Sequence, residues 1–252
     1  TGGGNEGTIH LDDLSVGGLK ASKFAFGYTK NRDFSSNQKL GGILGMSLPG
    51  HVDYVPGFKN HGWGGFIQTL KNQGVIDEAM YQMTLKGDGG KLSIGEVDDS
   101  QYEGDLETLT NTGKAYGHCG FKGTLNGEKH NFLLDSGTTG IAGSYDSVKK
   151  FLQGMSGVEL VEEDKRGSVT GKVDCDSMPS FKISVDGKFD VKLSDDVMKK
   201  YDLGNGKCLL PIYGYTNMPN SYSYNWIVGG AFMREVSVVC KFDSNEMQIA
   251  RQ

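Results

Sequence analysis

The chain has only 5 prolines, 4 cysteines and 2 tryptophans among its 252 residues. It has no Cys-x-x-Cys pair and its 5 histidines stand far apart, so the ligand spacing of a zinc site is missing. No apolar run is long enough to cross a bilayer as a helix, and no Lys/Arg tract occurs. A formal charge of −5 leaves the chain without the basic surface that a phosphate backbone requires, which argues against nucleic acid as a partner. Neither a GxSxG nucleophile elbow nor a Cys-His-Asn pattern is found. The absence of an Asn-x-Ser/Thr sequon means that N-glycosylation is not expected.

What is abundant is glycine, at 39 residues, set among short stretches rich in Val, Ile, Thr, Tyr and Phe. That composition predicts β-strands joined by tight turns. Asp88-Gly89, Asn126-Gly127 and Asp186-Gly187 accept the positive φ of hairpin turns. Phe181-Lys182-Ile183-Ser184-Val185 and Phe189-Asp190-Val191-Lys192-Leu193 alternate apolar and polar residues, as a strand pair with one buried face does. Thr8 to Leu11 and Leu14 to Val16 form another alternating run. Short helices are expected at Phe66 to Leu70, at Asp146 to Leu152 with Asp146 as a capping acid, and at Asp195 to Tyr201. The fold class is therefore mainly β. Gly42-Ile43-Leu44-Gly45 and Trp226-Ile227-Val228-Gly229 echo each other, and each predicts a buried strand whose glycine lets another backbone pass close by.

Chemistry concentrates at Asp135. The bulky run Asn131-Phe132-Leu133-Leu134 leads straight into Asp135-Ser136-Gly137-Thr138-Thr139-Gly140. A carboxylate at the end of a buried strand must find hydrogen-bond donors or give up its charge. Ser136 and Thr138 supply hydroxyls, and Gly137 permits a turn whose amide reaches the carboxylate. An Asx-type turn at a strand end is the alternative without chemistry.

These residues resemble the active-site motif in the C-terminal lobe of pepsin-like aspartic proteases. The resemblance extends over the chain. Trp226 to Arg234 is similar to the strand threading beneath that motif, and Val239-Cys240-Lys241-Phe242-Asp243 to the terminal strands. Gly42 to Met46 resembles the N-lobe counterpart of that strand, and Ser93 to Asp98 with Tyr102-Glu103-Gly104 the run between lobes. Ser136 and the doubled Thr138-Thr139 lean towards secreted yeast and fungal members, while Gly230 stands where the family often has aspartate. The resemblance implies a bilobal acid-protease fold, with residues 1–110 completing an N-terminal lobe and 111–252 forming the C-terminal lobe.

The family uses two aspartates, and only one such motif is present. Asp12-Asp13, Asp98-Asp99 and Asp195-Asp196 lack a following Ser/Thr-Gly and read as surface or capping charge. Thr1 to Ile9, ahead of Leu14 to Gly18, resembles the second half of the flap hairpin. The first aspartate motif and the flap tyrosine are then expected on an N-terminal segment or light chain. Thr1 itself, with neither methionine nor signal peptide, reads as a processed or artificial end. Gly2-Gly3-Gly4-Asn5-Glu6-Gly7 fits GxGxxG, but no strand precedes it and Glu6 would repel phosphate.

By resemblance, Asp135 is one catalytic carboxylate of a water-holding dyad. Ser136, Gly137 and Thr138 support it, while Gly137, Thr139, Gly2 and Gly3 meet substrate. Cys175 and Cys208 match the family's C-lobe disulfide. Cys119 and Cys240 either pair with each other, the preferred reading, or one bridges to the expected segment. The implied partners are that segment, peptide or protein substrates, and pepstatin-type inhibitors, in a secreted or vacuolar/lysosomal compartment. No metal, cofactor or membrane is implied. The rival reading is a non-enzymatic inhibitor or binding scaffold on the same fold, and a third is a fragment with no role of its own.

Overall fold

The computed structural model describes residues 6–29, 41–47, 56–59, 61–113, 117–163, 167–180, 182–218 and 224–252. In chain order it begins with β1 (Thr8–Val16), β2 (Leu19–Tyr28), α1 (Pro56–Lys59), α2 (Phe66–Asn72), β3 (Met80–Lys86), β4 (Gly89–Ile94) and β5 (Glu103–Thr110). Next come β6 (Gly120–Leu125), β7 (Glu128–Leu134), β8 (Ile141–Ser144), α3 (Tyr145–Gln153), β9 (Glu159–Glu163), β10 (Ser168–Asp174), β11 (Lys182–Val185) and β12 (Phe189–Lys192). The rest comprises α4 (Asp195–Met198), β13 (Lys207–Tyr215), β14 (Trp226–Val228), α5 (Gly230–Met233), β15 (Val236–Lys241) and β16 (Glu246–Arg251). The chain is mainly β, as its glycine-punctuated strands predict. None of the described helices is long and apolar enough to cross a membrane.

Three sheets form. A nine-stranded sheet runs β12-β11-β6-β7-β14-β8-β13-β10-β9, a five-stranded sheet runs β4-β3-β15-β16-β5, and β1 pairs with β2 alone. The five-stranded sheet draws strands from both sides of residue 111. Its interior carries a polar cluster in which Gln82 Nε2 donates to Ser237 Oγ at 2.9 Å, and Ser237 and Thr84 share a hydroxyl bond at 2.8 Å. All three side chains are buried, so these mutual bonds replace the water they lose.

In the nine-stranded sheet β14 lies parallel to β7 and antiparallel to β8, with Trp226 opposite Phe132 on one side and Gly143 on the other. Glycine at 143 lets the indole lie flat there, because a Cβ would meet Trp226 Cζ3 at 2.8 Å. Phe121 stacks on Phe132 at 5.1 Å and on Phe232 of α5 at 5.5 Å, tying this sheet to the helix that leads into β15. Helix α3 buries Val148 and Leu152, and its N-cap is Ser144, whose hydroxyl accepts from Ser147 N at 3.3 Å. Asp146 sits inside the first turn, so the expected cap shifts by two residues; serine at the strand end meets the free amides first.

Other expectations shift too. The β3–β4 turn is Gly87-Asp88, not Asp88-Gly89, since Lys86 pairs with Gly89. Asn126 and Gly127 both take positive φ, 47° and 88°, as a two-residue hairpin demands. The β11–β12 pair forms as predicted from Lys182 onward; Phe181 lies outside the described residues. Gly42 to Gly45 is not a buried strand. Residues 41–47 are irregular and Ile43 is 65% exposed, because none of the described strands pairs with them. The alternation in β1 gives a covered face only near its end: Leu14 and Val16 are half-buried against the core, whereas Ile9, Leu11, Phe26 and Tyr28 are exposed; in β2 Ala21, Phe24 and Ala25 are buried, with Phe24 edge-on to Phe66 of α2.

Two consequences are measurable. Gly143→Ala sets a Cβ against both Trp226 and Val148 and should cost about 1–3 kcal/mol in urea denaturation; an unchanged midpoint would refute that packing. His130 is half-buried beside Phe132 and Trp226, and burial pushes its pKa below the ordinary imidazole value despite Glu128 nearby. The neutral ring is therefore favoured in the fold. Its contribution is complete above the unfolded pKa of about 6.5 and is lost as pH falls through the folded pKa. His130→Gln should flatten the drop in Tm between about pH 7 and about pH 5, and parallel curves for the two proteins would contradict this.

A candidate aspartyl site where a loop arches over a strand

Strands β7 and β8 are neighbours in sequence but not in space, because β14 lies between them. The loop from Asp135 to Gly140 must span two strand spacings, about 10 Å, over the end of β14. Its first anchor is the ladder itself. Leu134 N donates to Cys119 O at 2.9 Å and Asp135 N to Val228 O at 3.1 Å. The Asp135 side chain then leaves the half-buried end of the strand towards its own loop.

Both carboxylate oxygens are held there. Gly137 N donates to Oδ1 at 2.9 Å, and Thr138 Oγ1 donates to Oδ2 at 2.8 Å. Thr138 N also donates to the carbonyl of Asp135 at 3.0 Å, closing the turn. One donor per oxygen fixes the plane of the carboxylate and leaves each oxygen a further lone pair. Ser136, Gly137 and Thr139 are exposed around it, while Thr138 is half-buried. Gly2 and Gly3 lie outside the described residues.

The far side of the loop rests on backbone amides. Gly229 N donates to Gly140 O, Gly230 N to Thr138 O and Ala231 N to Thr139 O, at 2.9, 2.7 and 2.9 Å. This contact forbids a side chain at 229, where a Cβ would stand 1.9 Å from Thr138 O. Gly140 is equally confined, its Cβ position 2.5 Å from Pro211 O and 2.7 Å from Tyr213 Cε2. The sequence reading marks Gly229 as a close-approach glycine; it gives Gly140 no such role, and only the β13 contact reveals it.

The remaining paired acids are engaged elsewhere. Asp13 is held below the ordinary carboxylate range by Lys20, 2.7 Å away, and by the amide of Lys23. Asp98 is pulled down to about 2 by Lys91 and by the hydroxyl and amide of Ser100. Asp99 accepts from Tyr102 and Asp195 lies 3.7 Å from Lys199. Their surface and capping roles agree with the sequence reading. Both expected cysteine pairs are bridged, Cys119 with Cys240 and Cys175 with Cys208. Among the described residues the one cluster with metal-ligand spacing is Cys175, Asp202 and Cys208, and its sulfurs are spent in the disulfide.

The model of the eukaryotic aspartyl protease family matches residues 1–252. The chain is 99% identical over all its 252 residues to a Malassezia globosa protein named "Probable inactive secreted aspartyl protease", covering 65% of that protein. It is 31% identical over 246 residues to Secreted aspartyl protease 1 of the same organism, 97% of this chain and 58% of that one. Human cathepsin D is 26% identical over 256 residues, 94% of this chain and 58% of its own length. The chain thus spans between 58% and 65% of these relatives. A full-length family match on a mainly β fold, with an aspartate loop seated over a threaded strand, establishes that this chain belongs to the eukaryotic aspartyl protease family.

Proposed function

We propose that Asp135 is one carboxylate of an aspartic endopeptidase dyad whose second carboxylate is carried by sequence outside this chain. The observation behind this reading is the double clamp on Asp135: Gly137 N on one oxygen and Thr138 Oγ1 on the other. A carboxylate fixed in plane, half-buried and ringed by exposed Ser136, Gly137 and Thr139 can present its free lone pairs to a water. Two facing carboxylates share one proton, because like charges so close do not both ionise readily. One then takes a proton from the attacking water while the other hydrogen-bonds the forming oxyanion. Such a pair titrates as a unit and works in acid.

On this reading residues 1–110 belong to one lobe and 111–252 to the other, with substrate lying between them. Ser136 links the two active-site loops, and Gly137 and Thr139 meet the peptide backbone, as do Gly2 and Gly3. The substrates are peptides or proteins, pepstatin-type compounds inhibit, and the compartment is acidic and extracytoplasmic, in keeping with the secreted relatives.

A second reading is a non-enzymatic inhibitor or binding scaffold on the pepsin-like fold. The name of the 99% identical relative, which calls that protein inactive, favours the absence of cleavage.

The test uses the full-length protein with its N-terminal region and an Asp135→Asn variant. Cleavage of a peptide library in acid that falls by at least about a thousandfold in the variant, with folding retained, is the expected result. Undiminished cleavage by Asp135→Asn would sink the assignment. Saturable peptide binding without any cleavage by the wild type would move the protein to the second reading.

A further inference from the structure

Asp135 is tied to the five-stranded sheet by two independent routes. One follows the chain: Asp135 bonds to Val228, the loop rests on Gly229 to Ala231, and α5 runs into β15. The other leaves the opposite edge of β7. Leu134 N, one residue before Asp135, donates to the carbonyl of Cys119, and the sulfur of Cys119 is bonded to Cys240 in β15. Strand β15 is itself flanked by β3 and β16, and both cysteines are buried.

A third group converges on the same point. Asn111, buried at the exit of β5, accepts from Gly113 N and Gly120 N, both at 2.9 Å, on its Oδ1. Its Nδ2 donates to His118 O at 3.0 Å, and its own backbone amide donates to Asn245 O in the β15–β16 turn at 3.3 Å. One amide side chain thereby gathers the residues on both sides of Cys119 and pins them to the five-stranded sheet. The other bridge, Cys175–Cys208, does nothing comparable; it joins the end of β10 to the start of β13, which already pair.

We infer that Asn111 and the Cys119–Cys240 bridge are positioning residues for Asp135, a covalent and hydrogen-bonded reference that sets the height of the aspartate strand above the five-stranded sheet. The inference rests on the proposed role of Asp135 in a dyad. There the purpose is plain, since two carboxylates from different parts of the fold must meet within hydrogen-bond reach. A misplacement of about 1 Å costs on the order of a hundredfold in rate. The five-stranded sheet contains strands from both sides of residue 111, so anchoring to it registers the aspartate strand against both halves of the chain.

The test is made on the full-length protein with a Cys119→Ala/Cys240→Ala pair, a Cys175→Ala/Cys208→Ala control pair, and Asn111→Ala, which keeps the bridge should the first pair fail to fold. Two readouts are taken: amide hydrogen exchange, and affinity for a pepstatin-type peptide relative to its deoxy analogue, whose missing hydroxyl would face the aspartates. Loss of the junction should raise exchange at Leu134 and Asp135 by roughly tenfold or more, and shrink the hydroxyl-to-deoxy affinity ratio by about as much. The control pair should loosen β10 and β13 and leave both readings at Asp135 unchanged. Leu134 and Asp135 amides that stay protected in the junction variants, or that loosen equally in the control, would overturn the inference. A wild-type affinity ratio near unity, with exchange responding as expected, would instead overturn the dyad reading and leave the junction as structure alone.

Discussion

Three residues, Trp226 to Val228, occupy a slot between β7 and β8, and the geometry of the aspartate site follows from that insertion. Both edges of β14 are consumed by ladder bonds, so the chain joining β7 to β8 has nowhere to pass except over its end. The arch is wide, and a wide loop left to itself would sample many conformations. It does not do so here, because the amides of Gly229, Gly230 and Ala231 meet the carbonyls of residues 138–140 from below. That approach is possible only where no side chain intervenes. The stacked rings of Phe121, Phe132 and Phe232 then fill the space beneath and leave the crossing little freedom to shift.

The charge on Asp135 is managed by the same arch. Its two donors come from residues two and three positions further on, so the carboxylate and its partners move as one unit. Elsewhere the chain handles its acids differently, with lysines set against them: Asp13 with Lys20, Asp98 with Lys91, Asp190 with Lys182. No lysine or arginine ion-pairs with Asp135 among the described residues. A neutral clamp orients the carboxylate without setting a full charge beside it.

What could be read in advance was what is local. The aspartate, its glycine amide and its threonine hydroxyl lie within four consecutive residues, so their chemistry shows in the string of letters. The Asn126-Gly127 hairpin is local in the same way, since both residues accept left-handed backbone. Failures came where distant segments decide. Gly42 to Gly45 carries the same pattern as Trp226 to Gly229, yet only the second finds strands on both sides. The alternation of β1 is genuine but is covered only at Leu14 and Val16. Asn111 looks like an ordinary turn residue in Asn111-Thr112-Gly113; its importance comes from Gly120 and His118, which the fold brings back to it. Family likeness points to Cys175–Cys208, and Cys119–Cys240 is then the preferred pairing of the two cysteines that remain, because spacing alone leaves several pairings open.

The composition of the five-stranded sheet bears on how the molecule is made. One of its two inner pairings joins β3 to β15, and Gln82 bonds to Ser237 at a sequence separation of 155. A ribosome releasing about 5–20 residues per second would expose β3 and its buried-polar face many seconds before β15 emerges. During that interval Thr84 has water for a partner, Gln82 has only its bonds to the Asp98 backbone, and the β3–β4 hairpin keeps an open edge, a surface prone to pairing with the wrong strand. Such non-local closure makes folding slow. Until synthesis passes residue 241, that edge of β3 lacks its partner β15.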